Sequence, residues 1–190
     1  IQDRFEALQA QVRFSGGDTS LTVSITTRRD RLPAVIALVG TLLREASFPA
    51  AELEEVRQSV LTDVETRRKE PEALVDNRLD RHGDPYPRGD VRHTRSFDEI
   101  EADARAVKIE QLRDFHARFY GAGAAQFAAS GEMDKAAVRQ ALEAAFGGWT
   151  ARESFARVAR PWIDIRPARF VIATPDKQNA VLGVQQRVAL

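Results

Sequence analysis

The sequence predicts an α+β fold, a two-layer sandwich in which an antiparallel-rich sheet carries helices on one face. Three observations predict it. Val12 and Phe14, then Leu21, Val23 and Ile25, alternate with polar residues on either side of Gly16-Gly17-Asp18, as the two arms of a hairpin do. Several stretches between Asp30 and Phe146 repeat apolar residues at helical spacing. Short strand candidates return late in the chain, at 124–130, 169–173 and 180–190. Strand pairs and amphipathic helices in this order fit a sheet covered on one side.

Taken in order, Ile1 to Ala10, with Phe5 and Leu8 apolar, read as the last turns of a helix, and the hairpin follows. Asp30 stands where an N-cap belongs, ahead of Leu32, Val35, Ile36, Val39, Leu42 and Leu43, in a helix that ends near Ala46. The stretch Phe48 to Glu70 is the long helix around which the rest is arranged. Ser47 or Pro49 starts it, Glu52, Glu54 and Glu55 occupy its first turns, and Arg67, Arg68 and Lys69 its last, the charge order the helix dipole favours. At about 100° per residue, Leu53, Val56, Val60, Leu61 and Val64 share one apolar face, with Asp63 at its margin. The ordinary reading of an aspartate there is a solvated or ion-paired surface residue.

Pro71 suits the first turn of the next helix, which carries Leu74, Val75 and Leu79. His82 to Arg95, with Pro85, Pro87 and two glycines, has no periodicity and reads as a loop. Phe97 to Ala106 is a short helix, and Lys108 to Tyr120 a stronger one in which Ile109, Leu112, Phe115, Phe119 and Tyr120 make an aromatic-rich core face. Ala124 to Ser130 reads as a strand ending at Gly131. Asp134 caps a helix with Val138, Leu142, Ala145 and Phe146, closed by Gly147-Gly148. Two strand candidates, Arg169 to Ala173 and Ala180 to Leu190, flank the turn Pro175-Asp176-Lys177. The expected division is a domain over 1–150, a linker over 151–167 fixed at Pro161-Trp162, and strands over 168–190 that lead into a following domain. Ile1 is not an initiator methionine, so the sequence is expected to be a piece of a longer protein.

The 28 basic and 28 acidic side chains cancel, which gives no electrostatic footprint for a nucleic-acid or anionic-membrane partner. No apolar run approaches the roughly 20 residues of a membrane span. The absence of cysteine excludes disulfides, thiolate zinc sites and a cysteine nucleophile, and leaves a periplasmic or cytoplasmic location equally open. His82, His93 and His116 are the only histidines, and no two stand at i, i+4, so there is no zincin motif. His82 and His93 flank the loop within reach of one another or of Asp84, although histidines around a proline turn are far more often surface residues than metal ligands. His116 is a packing or hydrogen-bonding residue. Gly121-Ala122-Gly123 lacks the flanking features of a dinucleotide loop, and no G-x-S-x-G elbow exists. No catalytic residue and no cofactor-binding motif is identified within the 190 residues.

The run FPAAELEEVRQSVLTDVETRRKEP, then DPYPRGDVRHTRSFDEI, IEQLRDFHARFYGA, SGEMD and FGGWT, in collinear order over most of the chain, resembles the insulinase or pitrilysin-type zinc metallopeptidases, including the mitochondrial processing peptidase type. The resemblance implies the LuxS/processing-peptidase-like metallohydrolase fold and paired domains that enclose a peptide-degrading chamber. It also implies an active domain with an inverted H-x-x-E-H motif, completed by a glutamate ligand on a later helix. Placed on this sequence, that ligand position falls on Asp63, a second helix glutamate of the family falls on Val56, and the motif would lie a short way before Ile1. Aspartate is one methylene shorter than glutamate, and valine replaces no carboxylate. The resemblance therefore implies a non-catalytic, chamber-forming domain, with zinc in the parent protein and none in this stretch alone. Two alternatives stay open. One is a truncated catalytic domain with Asp63 as third zinc ligand, and the other a non-enzymatic assembly or scaffold protein of the same fold. The implied partners are other domains of the same parent chain, peptide substrate and, as one option, a dimer partner. The closing PDKQNAVLGVQQRVAL resembles the first strand of a following domain.

Overall fold

In a computed structural model, which describes every residue except 18, 187, 189 and 190, the described residues form seven helices and one two-stranded antiparallel sheet. In chain order these are α1 (Gln2–Ala7), β1 (Gln11–Gly16), β2 (Leu21–Thr26), α2 (Leu32–Arg44), α3 (Ala50–Arg68), α4 (Pro71–Gly83), α5 (Phe97–Ala106), α6 (Ile109–Phe119) and α7 (Lys135–Phe146). The class is α+β, as the sequence predicts. The chain divides into two compact units, Ile1–Phe48 with Glu110–Val158, and Pro49–Ile109 with Ala159–Leu190.

The first unit is built on its hairpin. Val12 pairs with Ile25, Phe14 with Val23 and Gly16 with Leu21, and the Gly17 N–H donates to the Ser20 carbonyl at 2.8 Å to close the turn. Of the expected turn residues, Asp18 lies outside the described ones. Val12, Val23 and Ile25 pack against a core of Phe5, Ala10, Val35, Leu38 and Val39, so α1 and α2 cover one face of the ladder. A Cβ added at Gly40 would lie 2.6 Å from the Ala145 Cβ, and glycine is what lets α2 and α7 approach there. The start of α7 is as expected: the Asp134 carboxylate accepts from the Ala136 and Ala137 N–H groups at 2.9 and 3.1 Å.

Two expectations in this unit are corrected. Asp30 does not cap α2; the N-cap is Arg31, and the Asp30 carboxylate pairs with Arg28 and Arg31 at 3.3 and 3.5 Å instead. Two neighbouring guanidinium groups compete with the backbone donors for one carboxylate, and Pro33 in the first turn pre-sets the helix without a cap. The aromatic face of α6 is not core: Phe115 and Phe119 are 53% and 46% exposed, their rings tilted against each other with centroids 4.9 Å apart. The inward stripe is Leu112, His116 and Tyr120, which recur four residues apart and leave the phenylalanines at its flank.

In the second unit α3 and α5 run antiparallel. The Arg57 guanidinium donates to the Ala104 and Val107 carbonyls at the end of α5, while Arg68 pairs with Asp98 and Glu101 near its start. Val64 and Phe97 are its buried apolar side chains among the described residues, and Arg67 lies over the Phe97 ring at 5.2 Å. Pro71 opens α4 at its first position and Ser96 opens α5 with a capping box.

The later strand candidates are also corrected. Among the described residues, Ala124 to Ser130, Arg169 to Ala173 and Ala180 to Gln186 form no ladder. A strand exists only where a neighbour takes up its N–H and C=O groups. Residues 124–130 are exposed throughout. The other two stretches lie along α4: Phe170 meets Arg78 and His82, and a Cβ at Gly183 would lie 2.4 Å from Val75 Cγ1. Residues 187, 189 and 190 of the last candidate lie outside the described ones.

Candidate functional site

The resemblance places a metal ligand of α3 at Asp63 and a second helix glutamate at Val56. Seven residues turn a helix through nearly two revolutions, so the two side chains stand about 20° apart around the axis. Both are exposed: Val56 is 59% open, and the Asp63 side chain 64%. The expectation that Val56 belongs to the buried face is therefore corrected. The buried direction of α3 is centred on Val64 and flanked by the half-buried Leu53, Arg57, Val60 and Arg68. Arg57 and Arg68 take up that side because their guanidinium groups reach acceptors on α5, and this rotates Val56 out.

The Asp63 carboxylate faces the Arg67 guanidinium one turn later at 3.9 Å. Zinc of the peptidase type needs three protein ligands converging on one point. Among the described residues no three His, Cys, Asp or Glu side chains gather in that way, and a carboxylate beside a guanidinium is a poor start for one. The described residues of this chain do not by themselves fit zinc.

The three histidines go to three different places. His82 Nε2 lies 2.9 Å from the Arg166 carbonyl oxygen, with its ring edge-on to Phe170. His116 does what its sequence position implies: Nε2 bonds the Leu43 carbonyl at 2.7 Å, and its ring is surrounded by Phe48, Tyr120 and Trp149. His93 is held inside the loop that joins α4 to α5. Its Nδ1 lies 2.8 Å from the Tyr86 carbonyl oxygen and its Nε2 3.3 Å from both Glu99 carboxylate oxygens.

That loop carries the densest charge network of the second unit. Arg92 grips the Asp90 carboxylate with its side chain and backbone N–H and lies 3.8 Å over the Tyr86 ring; these bonds hold Asp90 down at about 2 and raise Arg92. Thr94 Oγ1 donates to Asp84 Oδ2 at 2.7 Å, while Asp84 Oδ1 is buried without a hydrogen-bond partner. Ser96 N–H donates to Glu99 Oε2 at 2.8 Å, which with His93 holds Glu99 at about 2. Sequence reasoning treats this stretch as an unstructured loop. The signal it overlooks is Ser96-Phe97-Asp98-Glu99, the S-x-x-E pattern of a capping box, which fixes the carboxylate His93 meets.

Two hollows lie elsewhere among the described residues. One of about 470 Å³ in the first unit lies between α1 and α2 and is lined by small and apolar residues with Arg4 and Thr41 at its edge. One of about 270 Å³ in the second unit lies at the start of α4, where Lys177 reaches Glu70 at 3.3 Å. Among the described residues no helix is long and apolar enough to cross a membrane.

Comparison with curated proteins finds no match. Comparison with protein families does: residues 106–187 match the family model described as the Peptidase M16 inactive domain, which spans α6, α7 and the extended segment along α4. The insulinase-type resemblance of the sequence and this match agree: residues 106–187 are similar to an inactive domain of the M16 peptidases.

Proposed function

We propose that the chain helps to wall the chamber of a larger insulinase-type peptidase, whose zinc and peptide-cleaving groups sit in another domain of the same parent chain. The match of residues 106–187 to an inactive domain carries this reading. The α3 face supports it, since an arginine-paired aspartate stands where the resemblance puts a glutamate ligand and a valine where it puts a second helix glutamate. Exposed apolar side chains support it as well. Phe115 and Phe119 on α6, and Leu182 and Val184 at 90% and 84% exposure, are of the kind that other domains of a parent chain cover. On this reading the fold belongs with the LuxS/processing-peptidase-like metallohydrolases, and the chain binds no zinc of its own.

The test is to purify the 190-residue chain, dialyse it with zinc, and measure bound metal together with hydrolysis of a fluorogenic peptide. The expected result is no stoichiometric zinc and no turnover. Turnover proportional to protein and abolished by EDTA would overturn the proposal.

A further inference from the structure

The geometry around His93 fixes its protonation state. Its two ring nitrogens face the Tyr86 carbonyl oxygen and the Glu99 carboxylate. A carbonyl and an ionised carboxylate have no proton to give. Neutral imidazole carries one N–H and serves only one of them, whereas the imidazolium serves both. The side chains of His93 and Glu99 are only 17% and 20% exposed, so water has limited access to replace a lost bond. Glu99 is placed independently of the imidazole, because Ser96 and Glu99 cap α5 reciprocally at 2.8 and 3.2 Å.

The remaining charged groups around the ring come from each neighbouring element. Glu99 faces it from α5, and Asp84 from the C-cap of α4, with its unpartnered Oδ1. From the loop itself come Asp90, whose carbonyl accepts the His93 N–H at 2.9 Å, and Arg92, whose charge is taken up by Asp90. The surroundings of the ring are thus net negative.

We propose that His93 is a proton-controlled latch: as the imidazolium it bridges the Tyr86 carbonyl of the 84–96 loop to the Glu99 carboxylate in the first turn of α5, and on losing its proton it breaks that bridge at one end. The neutral ring keeps its donor for one acceptor and turns a lone pair towards the other. With the proton on Nδ1, Nε2 faces a carboxylate that the capping box holds in place and that contact becomes repulsive; with the proton on Nε2, the Nδ1 lone pair faces the Tyr86 carbonyl oxygen and that end of the bridge is lost. The Tyr86 carbonyl, then Glu99 and Asp84, push the His93 pKa above the ordinary 6.5, against burial. A folded-state pKa raised above the unfolded value gives stability that is complete below the unfolded value and is lost as pH rises through the folded one. At the acid side the latch lasts until Glu99 is protonated, at about 2. The loop is therefore fastened at acid and neutral pH and released on the alkaline side of the imidazole range.

The test is amide hydrogen exchange of the 190-residue chain between pH 5.5 and 9, corrected for intrinsic rates, read alongside the His93 ring resonances. In the wild type, protection of residues 86–96 should fall about tenfold, the order that a lost hydrogen bond to a charged group carries, at the pH where the ring titrates. Glu99→Gln keeps an acceptor for the Ser96 N–H while removing the charge, and it should move the ring titration and the loss of protection together to lower pH. His93→Gln should leave loop protection flat across the range. Protection that does not change with pH in the wild type would overturn the latch. So would a loss whose midpoint stays put in Glu99→Gln or persists in His93→Gln.

Discussion

The two units of the chain are held together by different means. The first buries the side chains of Phe5, Ala10, Val35, Ile36, Leu38, Val39 and Val138, while the second, among its described residues, buries the apolar side chains of Val64 and Phe97 alone. What the second unit lacks in apolar core it replaces with directed polar contacts: Arg57 on the end of α5, Arg68 on its start, and the Asp84–Glu99 network in the loop between. Burial is non-directional and worth roughly 1.5–3 kcal/mol for each large apolar side chain. Exposed ion pairs contribute about 0–1 kcal/mol each and fix orientation more than they stabilise. The longest helix, α3, therefore depends on a few well-placed guanidinium groups, and the shorter α2 on its apolar stripe.

Substitutions can break this contrast from either side, and the two tryptophans report on it separately, since Trp149 lies in the first unit and Trp162 in the second. The largest effect is expected for Ile36→Ala, which removes a side chain only 1% exposed; it should lower the stability read by Trp149 in urea by about 2–5 kcal/mol and leave the Trp162 transition in place. Gly40→Ala should cost the first unit about 1–3 kcal/mol, because the new methyl meets a helix backbone rather than a mobile side-chain end. Arg57→Ala should lower the Trp162 transition by about 1–2 kcal/mol through two carbonyls left without their donor. Arg57→Lys should recover only part of this, since one ammonium does not fork to both acceptors. Raising salt to about 1 M should weaken the second unit by less than about 1 kcal/mol, and more than it weakens the first. Val56→Ser, on an exposed face, should change the stability read in urea by no more than about 0.5 kcal/mol.

The sequence was most informative where one local pattern decides the outcome. Val12 and Phe14 opposite Ile25 and Val23, Asp134 ahead of α7, Pro71 at the start of α4 and Phe97–Ala106 as a helix are all legible from spacing and capping alone. It misled where two patterns compete for one helix. Along α3, Leu53, Val60 and Val64 set a stripe that Val56 only borders, and two arginines decide the rotation by reaching acceptors more than 30 residues away in sequence. On α6 the bulk of Phe115 and Phe119 drew the core face towards them, whereas His116 is what joins the helix to the Leu43 carbonyl. The late strand candidates have strand composition, yet a ladder needs a neighbour, which composition does not specify. Of the candidate site, Asp63 was legible only through family resemblance. Of the His93 network only the approach to Asp84 was considered; the Tyr86 contact joins loop residues through geometry rather than spacing, and the Glu99 contact was signalled only by the capping-box pattern.

The match of residues 106–187 carries the non-catalytic reading and the α3 face supports it, and Asp63 tests it most directly. In the full-length gene product that carries these residues, Asp63→Ala should leave zinc content per chain unchanged, with helicity and thermal unfolding as in the wild type. Loss of one zinc per chain from a normally folded Asp63→Ala protein would contradict it, and would make α3 part of a working metal site.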